Sequence, residues 1–348
     1  LNEKKKNKIL KNIEEYIVPN IDKALNKKKP VSNEIEELKD VYKKSDLIKE
    51  KPTLNKNTTL RFVDAIKEAM YQKLLNDDKT LIMGQDIAEY GGVFKITEKF
   101  VNKFGKERVR NTPITESAVV GTAMGLAIEG YKPIVEMQFA DFVSDGFNQI
   151  VNNLAKTYYR WGQPINVTLR MPTGGGIGAG PFHSQNTESW FFHVPGLKVV
   201  YPSNSYDAKG LLTSSIDDPN PVLYFEHKKL YRSISGKVPT EQYSICLGKA
   251  KIVKKGKQLS IITYGLGVHW ALEFSQSSDY DIEILDLRTL IPLDSESIFN
   301  TVKKTNRVLI LQLQLLGDIK SAGLSDRNIL YSKKSSFDSK VGVQVSFQ

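Results

Sequence analysis

From residue 60 to residue 311 the sequence switches back and forth between two hydrophobic periods, and that switching restricts the fold most. Apolar residues three and four apart, such as Val63, Ile66, Met70 and Leu74, predict a helix over 60–75. Between helical segments lie short apolar runs: TLIMG (80–84), PIVEM (133–137), NVTLRM (166–171), LKVV (197–200) and PVLYFE (221–226). They are short, rich in β-branched residues and largely without polar alternation, so they predict strands covered on both faces, as in a parallel sheet. Segments 114–130, 141–159 and 206–216 supply the intervening helices. Turns and a basic stretch occupy 233–257, and then the pattern restarts. Strands are predicted at 259–264, 281–287 and 307–311, with helices at 267–275 and 293–304. Strand–helix–strand repeats of this kind imply an α/β fold, here two doubly wound domains with mostly parallel sheets. The expected boundaries are 59–235 and 236–348, preceded by a helical tail and linker over 1–58.

The tail has its own pattern. Ile9, Ile13, Tyr16, Ile17 and Ile21 share a helical face over 9–28, which Pro19 is expected to bend or end. A second helix is expected over 33–44, with Asn33 as its cap. Residues 45–58, with Pro52, read as a linker.

Composition excludes several classes. Apolar runs reach only a few residues, as in Val308–Leu311, far below the ~20 of a membrane-spanning helix. Cys246 is the one cysteine and cannot form an internal disulfide. His183, His193, His227 and His269 lie far apart, so no HExxH or CxxC metal site exists. The net charge is +10, and half of it falls in the first 60 residues, where 15 lysines face 10 acidic residues. Glu14, Glu15, Glu36 and Glu37 interrupt the basic clusters, and no aromatics interleave with the lysines. A solvated helix face is therefore preferred over a nucleic-acid arm. The chain starts at Leu1, not Met, which suggests a fragment or a processed chain and leaves room for a targeting segment ahead of it.

Three residues stand out for chemistry. The stretch Pro172–Gly180, PTGGGIGAG, lacks the Gly-Lys-Ser/Thr of a phosphate loop and is not followed by an amphipathic helix. Its glycines suit positive φ or close backbone approach, with His183 delivered to a cleft. Glu116 opens an apolar helix, where a carboxylate is ordinary as a cap or a partner of the helix dipole. Phe142, at a helix start, is by itself an unremarkable core aromatic. Trp161, Trp190 and Trp270 are read as core or interface.

Taken together, the motifs form an ordered series: NTPITES, EMQFADF, AKTYYRWGQP, MPTGGGIGAGPFHSQ, HVPGLKVVYPSN and DPNPVLYFEHKKLYR. The series, from about residue 59 to 311, resembles the β subunit of the thiamine-diphosphate-dependent 2-oxo acid dehydrogenases. The resemblance implies a transketolase-like pyrimidine-binding domain followed by a transketolase C-terminal domain. Residues 8–45 resemble the end of the partner α subunit, as in a single-chain α–β fusion. Glu116 matches the glutamate that hydrogen-bonds N1′ of the aminopyrimidine, and Phe142 the aromatic packed on that ring. His183 matches the histidine lining the channel for substrate and lipoyl group. Gln138 falls in the same pocket-facing segment, and Gln85 and Asp86 match a pair near the cofactor. Ser215, Asp218 and Asn220 match a loop that binds structural potassium through backbone carbonyls.

The resemblance further implies oxidative decarboxylation of a 2-oxo acid and acyl transfer to a lipoyl group. It implies an α part holding magnesium and the diphosphate, an α2β2-type assembly, a lipoyl-bearing acyltransferase partner and a bacterial cytoplasmic setting. Neither nucleic acid nor membrane is an expected partner. Two departures accompany it. No Gly-Asp-Gly followed by Asn is present for the diphosphate, so the chain is expected to need an α part for activity. After RVLIL, Gln312–Gly317 replaces the His-Glu-Asp of the family. The rivals are another transketolase-like thiamine enzyme and a non-catalytic assembly subunit that keeps the fold.

Overall fold

The computed structural model describes residues 2–29, 31–45, 52, 56–312 and 343–345, the last three by backbone alone. By its contacts the chain falls into two units, 1–39 and 40–348. The first carries the helix Glu3–Leu25, capped by the Asn2 side chain on Lys5 N–H. This helix runs through Pro19, where a bend or stop was expected. Its residues are exposed, so water can satisfy the Glu15 carbonyl that Pro19 leaves without an N–H partner. Asn33 caps the next helix, Glu34–Asp40, by accepting from Ile35 N–H at 3.0 Å.

The second unit begins earlier than the expected linker. Tyr42 donates to the Leu197 carbonyl at 3.0 Å, and the Asn220 side chain bonds both Lys43 N–H and Lys43 C=O. Its main sheet has seven strands in the order Thr289–Ile291, Lys198–Val200, Val222–His227, Thr168–Thr173, Lys132–Glu136, Thr80–Gly84 and Val109–Asn111. The last six are parallel, and Thr289–Ile291 joins antiparallel. Four of these strands, at 80–84, 168–173, 222–227 and, apart from Lys132, 132–136, are buried along their length, because helices cover both faces. Val63, Ile66, Met70 and Leu74 of the helix Phe62–Asn76 are buried, as their spacing predicted.

Thr289–Ile291 comes from the C-terminal half of the chain. Ile262, Tyr264 and Leu285 likewise belong to the same hydrophobic core as Leu169 and Val200. A second sheet orders Val343–Val345, Val308–Leu311, Leu259–Thr263, Ile282–Asp286 and Lys251–Lys254, parallel except at Lys251–Lys254. Asn57–Arg61 and Ser235–Pro239 pair antiparallel in a two-stranded ribbon where turns and linker were expected. Residues 313–342, including most of Gln312–Gly317, and 46–51 of the expected linker lie outside the described residues. Among the described residues no helix is long and apolar enough to cross a membrane.

Candidate active site

The sheet determines where the singled-out residues go. Gln85 and Asp86 follow the strand Thr80–Gly84; Glu116 follows Val109–Asn111; Gln138 and Phe142 follow Lys132–Glu136. His183 sits on the loop after Thr168–Thr173. These are the carboxyl ends of four neighbouring parallel strands, the edge at which open α/β sheets bind ligands. In-register pairing sets Gly84 beside Glu136, so the two loops leave the sheet side by side.

Glu116 is the first residue of the helix Glu116–Ile128 and is buried. Its Oε1 accepts from Gln85 Nε2 at 3.0 Å, and Oε2 is unengaged among the described residues. The helix has no side-chain cap from Thr115. Glu116 is thus held across the site by another loop, beyond its expected service to its own helix. Gly146 of the helix Val143–Asn148 packs here: a Cβ on it would lie 3.7 Å from the Glu116 carbonyl. That helix directly follows Phe142. Asp86, at φ 55°, sits in the left-handed region and accepts from Gln138 Nε2 at 3.4 Å.

His183 and two phenylalanines form an aromatic corner. The His183 ring is edge-on to Phe139 at 4.7 Å and to Phe142 at 5.5 Å between centroids, and Phe139 meets Phe142 at 5.8 Å. Lys228 Nζ lies 5.3 Å from the Phe139 centroid. The glycine loop behaves as anticipated: Gly174, Gly176, Gly178 and Gly180 all have positive φ. At Gly174 close approach also matters, since a Cβ would lie 2.2 Å from His227 Nε2. His227 is buried with Nδ1 unpartnered, and burial aided by Lys228 and Lys229 lowers its pKa to about 3. It is a neutral wedge under the loop.

Below this edge lies a buried ion cluster that sequence reasoning did not single out. Arg170 makes a bidentate pair with Glu226, both bonds at 2.7 Å, and a further bond to Glu136; Tyr231 donates to Glu226 at 2.7 Å. Burial works to discharge Arg170, and the two carboxylates overcome it, so its pKa is raised. The available signal was a charge inside each of three apolar strands, which demands partners in the core.

The expected potassium loop has its side chains occupied. Asp218 pairs with Lys198 at 2.5 Å and accepts from Asn220 at 2.8 Å, Asn220 holds Lys43, and Ser215 Oγ donates to Leu211 C=O. Among the described residues no group of three or more His, Cys, Asp or Glu could hold a metal ion. A cleft of about 560 Å³ lies beside the strand Val109–Asn111 and the start of the helix Glu116–Ile128, lined by Lys106, Arg110, Thr112, Thr115 and Ala118 among others. Glu116, Phe142 and His183 do not line it. Of the tryptophans, Trp161 is exposed beside the Arg160 guanidinium, so it is not core.

Comparison with known proteins agrees with this architecture. Residues 58–233 match the family "Transketolase, pyrimidine binding domain", and 248–314 match "Transketolase, C-terminal domain". The 2-oxoisovalerate dehydrogenase subunit beta of Bacillus subtilis (strain 168) is 44% identical over 261 residues, 73% of this chain and 79% of that protein. The pyruvate dehydrogenase E1 component subunit beta of Staphylococcus aureus (strain Mu50) is 43% identical over 280 residues, 78% of this chain and 86% of that one. The chain belongs to the E1 beta-subunit family of 2-oxo acid dehydrogenases. The same fold occurs in a solved structure titled "Split gene transketolase, inactive beta4 tetramer". It has a TM-score of 0.59 and 20% identity, and covers 76% of this chain and 82% of its own. Within the E1 beta family, the carboxyl edge of the seven-stranded sheet is the candidate active site.

Proposed function

We propose that this chain is the β-type part of a 2-oxo acid dehydrogenase decarboxylating component, binding the aminopyrimidine end of thiamine diphosphate at the edge carrying Glu116. One observation carries the reading: a buried carboxylate, held through one oxygen by Gln85, keeps its other oxygen unengaged among the described residues. Such a group suits a heteroaromatic nitrogen that must be bonded and protonated in turn. The aromatic corner of Phe139, Phe142 and His183 offers apolar walls for a flat ring.

When bound, thiamine diphosphate supplies a thiazolium that accepts the electron pair released as a 2-oxo acid loses carbon dioxide. The chain's own residues do the rest. Glu116 holds the proton at N1′ and returns it. Gln85 fixes the carboxylate in the acceptor orientation, and Phe142 restricts the ring. Asp86 and Gln138 line the same edge. His183 handles a proton, or stabilises charge, as the acyl group passes to a lipoyl group. Magnesium and the diphosphate fall to an α part, with an α2β2-type assembly and a lipoyl-bearing acyltransferase as partners. Any structural potassium at 215–220 would rely on backbone carbonyls, because the side chains there are engaged.

The test mixes the chain with a cognate α part, thiamine diphosphate, magnesium and an artificial electron acceptor. Pyruvate, 2-oxobutyrate and branched-chain 2-oxo acids are offered in turn. Decarboxylation of at least one is expected, and none with any of them would overturn the reading. Glu116→Ala is expected to cut turnover by about 10²–10⁴ while leaving assembly intact.

A further inference from the structure

We infer that Asp141 is a positioning residue that ties the His183 loop to the Phe142 turn, so that the two halves of the aromatic corner stay in register. The inference rests on the proposed function for its catalytic consequence, but its geometry stands alone. The loop from Gly174 to Ser184 is closed at its neck by one residue, Gln185. The Gln185 carbonyl accepts from Gly174 N–H and from Thr173 Oγ1, both at 2.9 Å. Its N–H donates to Asp141 Oδ1 at 3.0 Å. Asp141 lies on the single turn Ala140–Phe142, between Phe139 and Phe142, and is buried.

Asp141 therefore lies in the chain between the two aromatics that His183 touches, and its carboxylate grips the backbone two residues after His183. Inside the loop, Ser184 Oγ donates to Gly180 C=O at 2.7 Å and His183 N–H to the same carbonyl at 3.3 Å. These bonds shape the loop's tip. Behind it, Thr187 Oγ1 reaches Ala140 C=O only at 3.4 Å. The Asp141 bond is the better-formed link from the turn to the neck, at 3.0 Å against 3.4 Å for the Thr187 bond. Four glycines at positive φ leave the loop little stiffness of its own. Without the link, its position relative to Phe142 rests on ring contacts and the longer Thr187 bond.

The experiment compares Asp141→Ala with Asp141→Asn, whose Oδ1 can still accept from Gln185 N–H. The first readout is the side-chain proton spectrum of the histidine-labelled chain, with His183 assigned by His183→Asn. The two phenylalanine rings displace the His183 resonances by ring currents, so these signals report the corner without any activity. Asp141→Ala is expected to move them toward exposed values at an unchanged unfolding midpoint, and Asp141→Asn to leave them in place. The second readout is decarboxylation by the complex with the α part. Asp141→Ala should lower it by about a hundredfold, the cost of a small misplacement, and Asp141→Asn by less than about threefold. Unmoved His183 resonances in Asp141→Ala, or equal damage from both variants, would overturn the inference. If Asp141→Ala does not fold, Asp141→Ser, polar but too short to reach, takes its place under the same criteria. A wild-type complex without decarboxylation sinks the proposed function, while the spectra still decide Asp141.

Discussion

At the scale of single residues, the site is a set of side chains each held by another loop. Gln85 contributes one neutral-to-charged hydrogen bond to Glu116, so Gln85→Ala is expected to cost roughly 1.5–3 kcal/mol of that orientation. The check is thiamine diphosphate affinity and kcat/KM of the complex, both of which should fall by tenfold or more for ~1.4 kcal/mol and upward. Arg170 is a different case. Removing it leaves Glu136 and Glu226 buried without their cation, and Arg170→Ala should destabilise the fold by about 3–5 kcal/mol, read from urea unfolding. Gly174 is fixed by two demands, a φ of +76° and the His227 ring. Gly174→Ala should cost at least ~1–2 kcal/mol from the backbone alone. In a His227→Ala background the steric part should vanish and the backbone part persist, which a double-mutant cycle separates. Glu116, Phe142 and His183 were singled out because the family resemblance assigns each a role. Arg170, Asp141 and His227 were not, although Asp141 and His227 lie inside the same motifs, since their contacts depend on partners that a sequence does not place beside them.

At the scale of elements, local periodicity carried most of the reading. The strand at 80–84 was expected with those limits, and the helix expected at 206–216 runs from Ser205 to Asp217. The expected helix at 141–159 is present but interrupted. A single 3-10 turn at Ala140–Phe142 leads into Val143–Asn148, then a π-helical stretch Gln149–Leu154, then Ala155–Trp161. The wider π turn changes the facing of residues beyond it, and no hydrophobic period signals it. Asn57–Arg61 and Ser235–Pro239 escaped notice because each is a short, largely polar strand whose sheet partner is the other, more than 170 residues away. The N-terminal helix tests propensity without tertiary help. Pro19→Ala there should favour the helix by about 3 kcal/mol locally, seen as slower amide hydrogen exchange around residues 15–19.

At the scale of the whole molecule, the seam between the C-terminal strands and the main sheet is acidic and closed. Burial, reinforced by the neighbouring Asp207, raises Asp286 to a pKa of about 7, and burial raises Glu188 to about 7. Ser203 bonds Asp286, and Tyr264 donates to Glu188 at 3.0 Å, so each carboxyl links the two halves of the chain. A carboxyl whose folded pKa is raised binds its proton longer in the folded state. Its stabilisation is full below the unfolded value near 4 and is lost as pH rises through about 7. The stability of the wild type relative to Asp286→Asn should therefore decline between pH 4 and pH 7 and level off above, measured by urea unfolding across that range. Taking the difference cancels His227, which acts oppositely: its contribution is present above pH 6.5 and lost as pH falls toward about 3. By itself the sequence determined the α/β class, the order of the strands along the chain and the motif residues that carry the family, because hydrophobic period and short motifs are local properties. Only the tertiary structure decided that Thr289–Ile291 completes the first sheet, that Arg170 serves two distant carboxylates, and that one buried aspartate holds the neck of the glycine loop. Those are contacts between residues far apart in the chain, and register and burial, not local pattern, choose them.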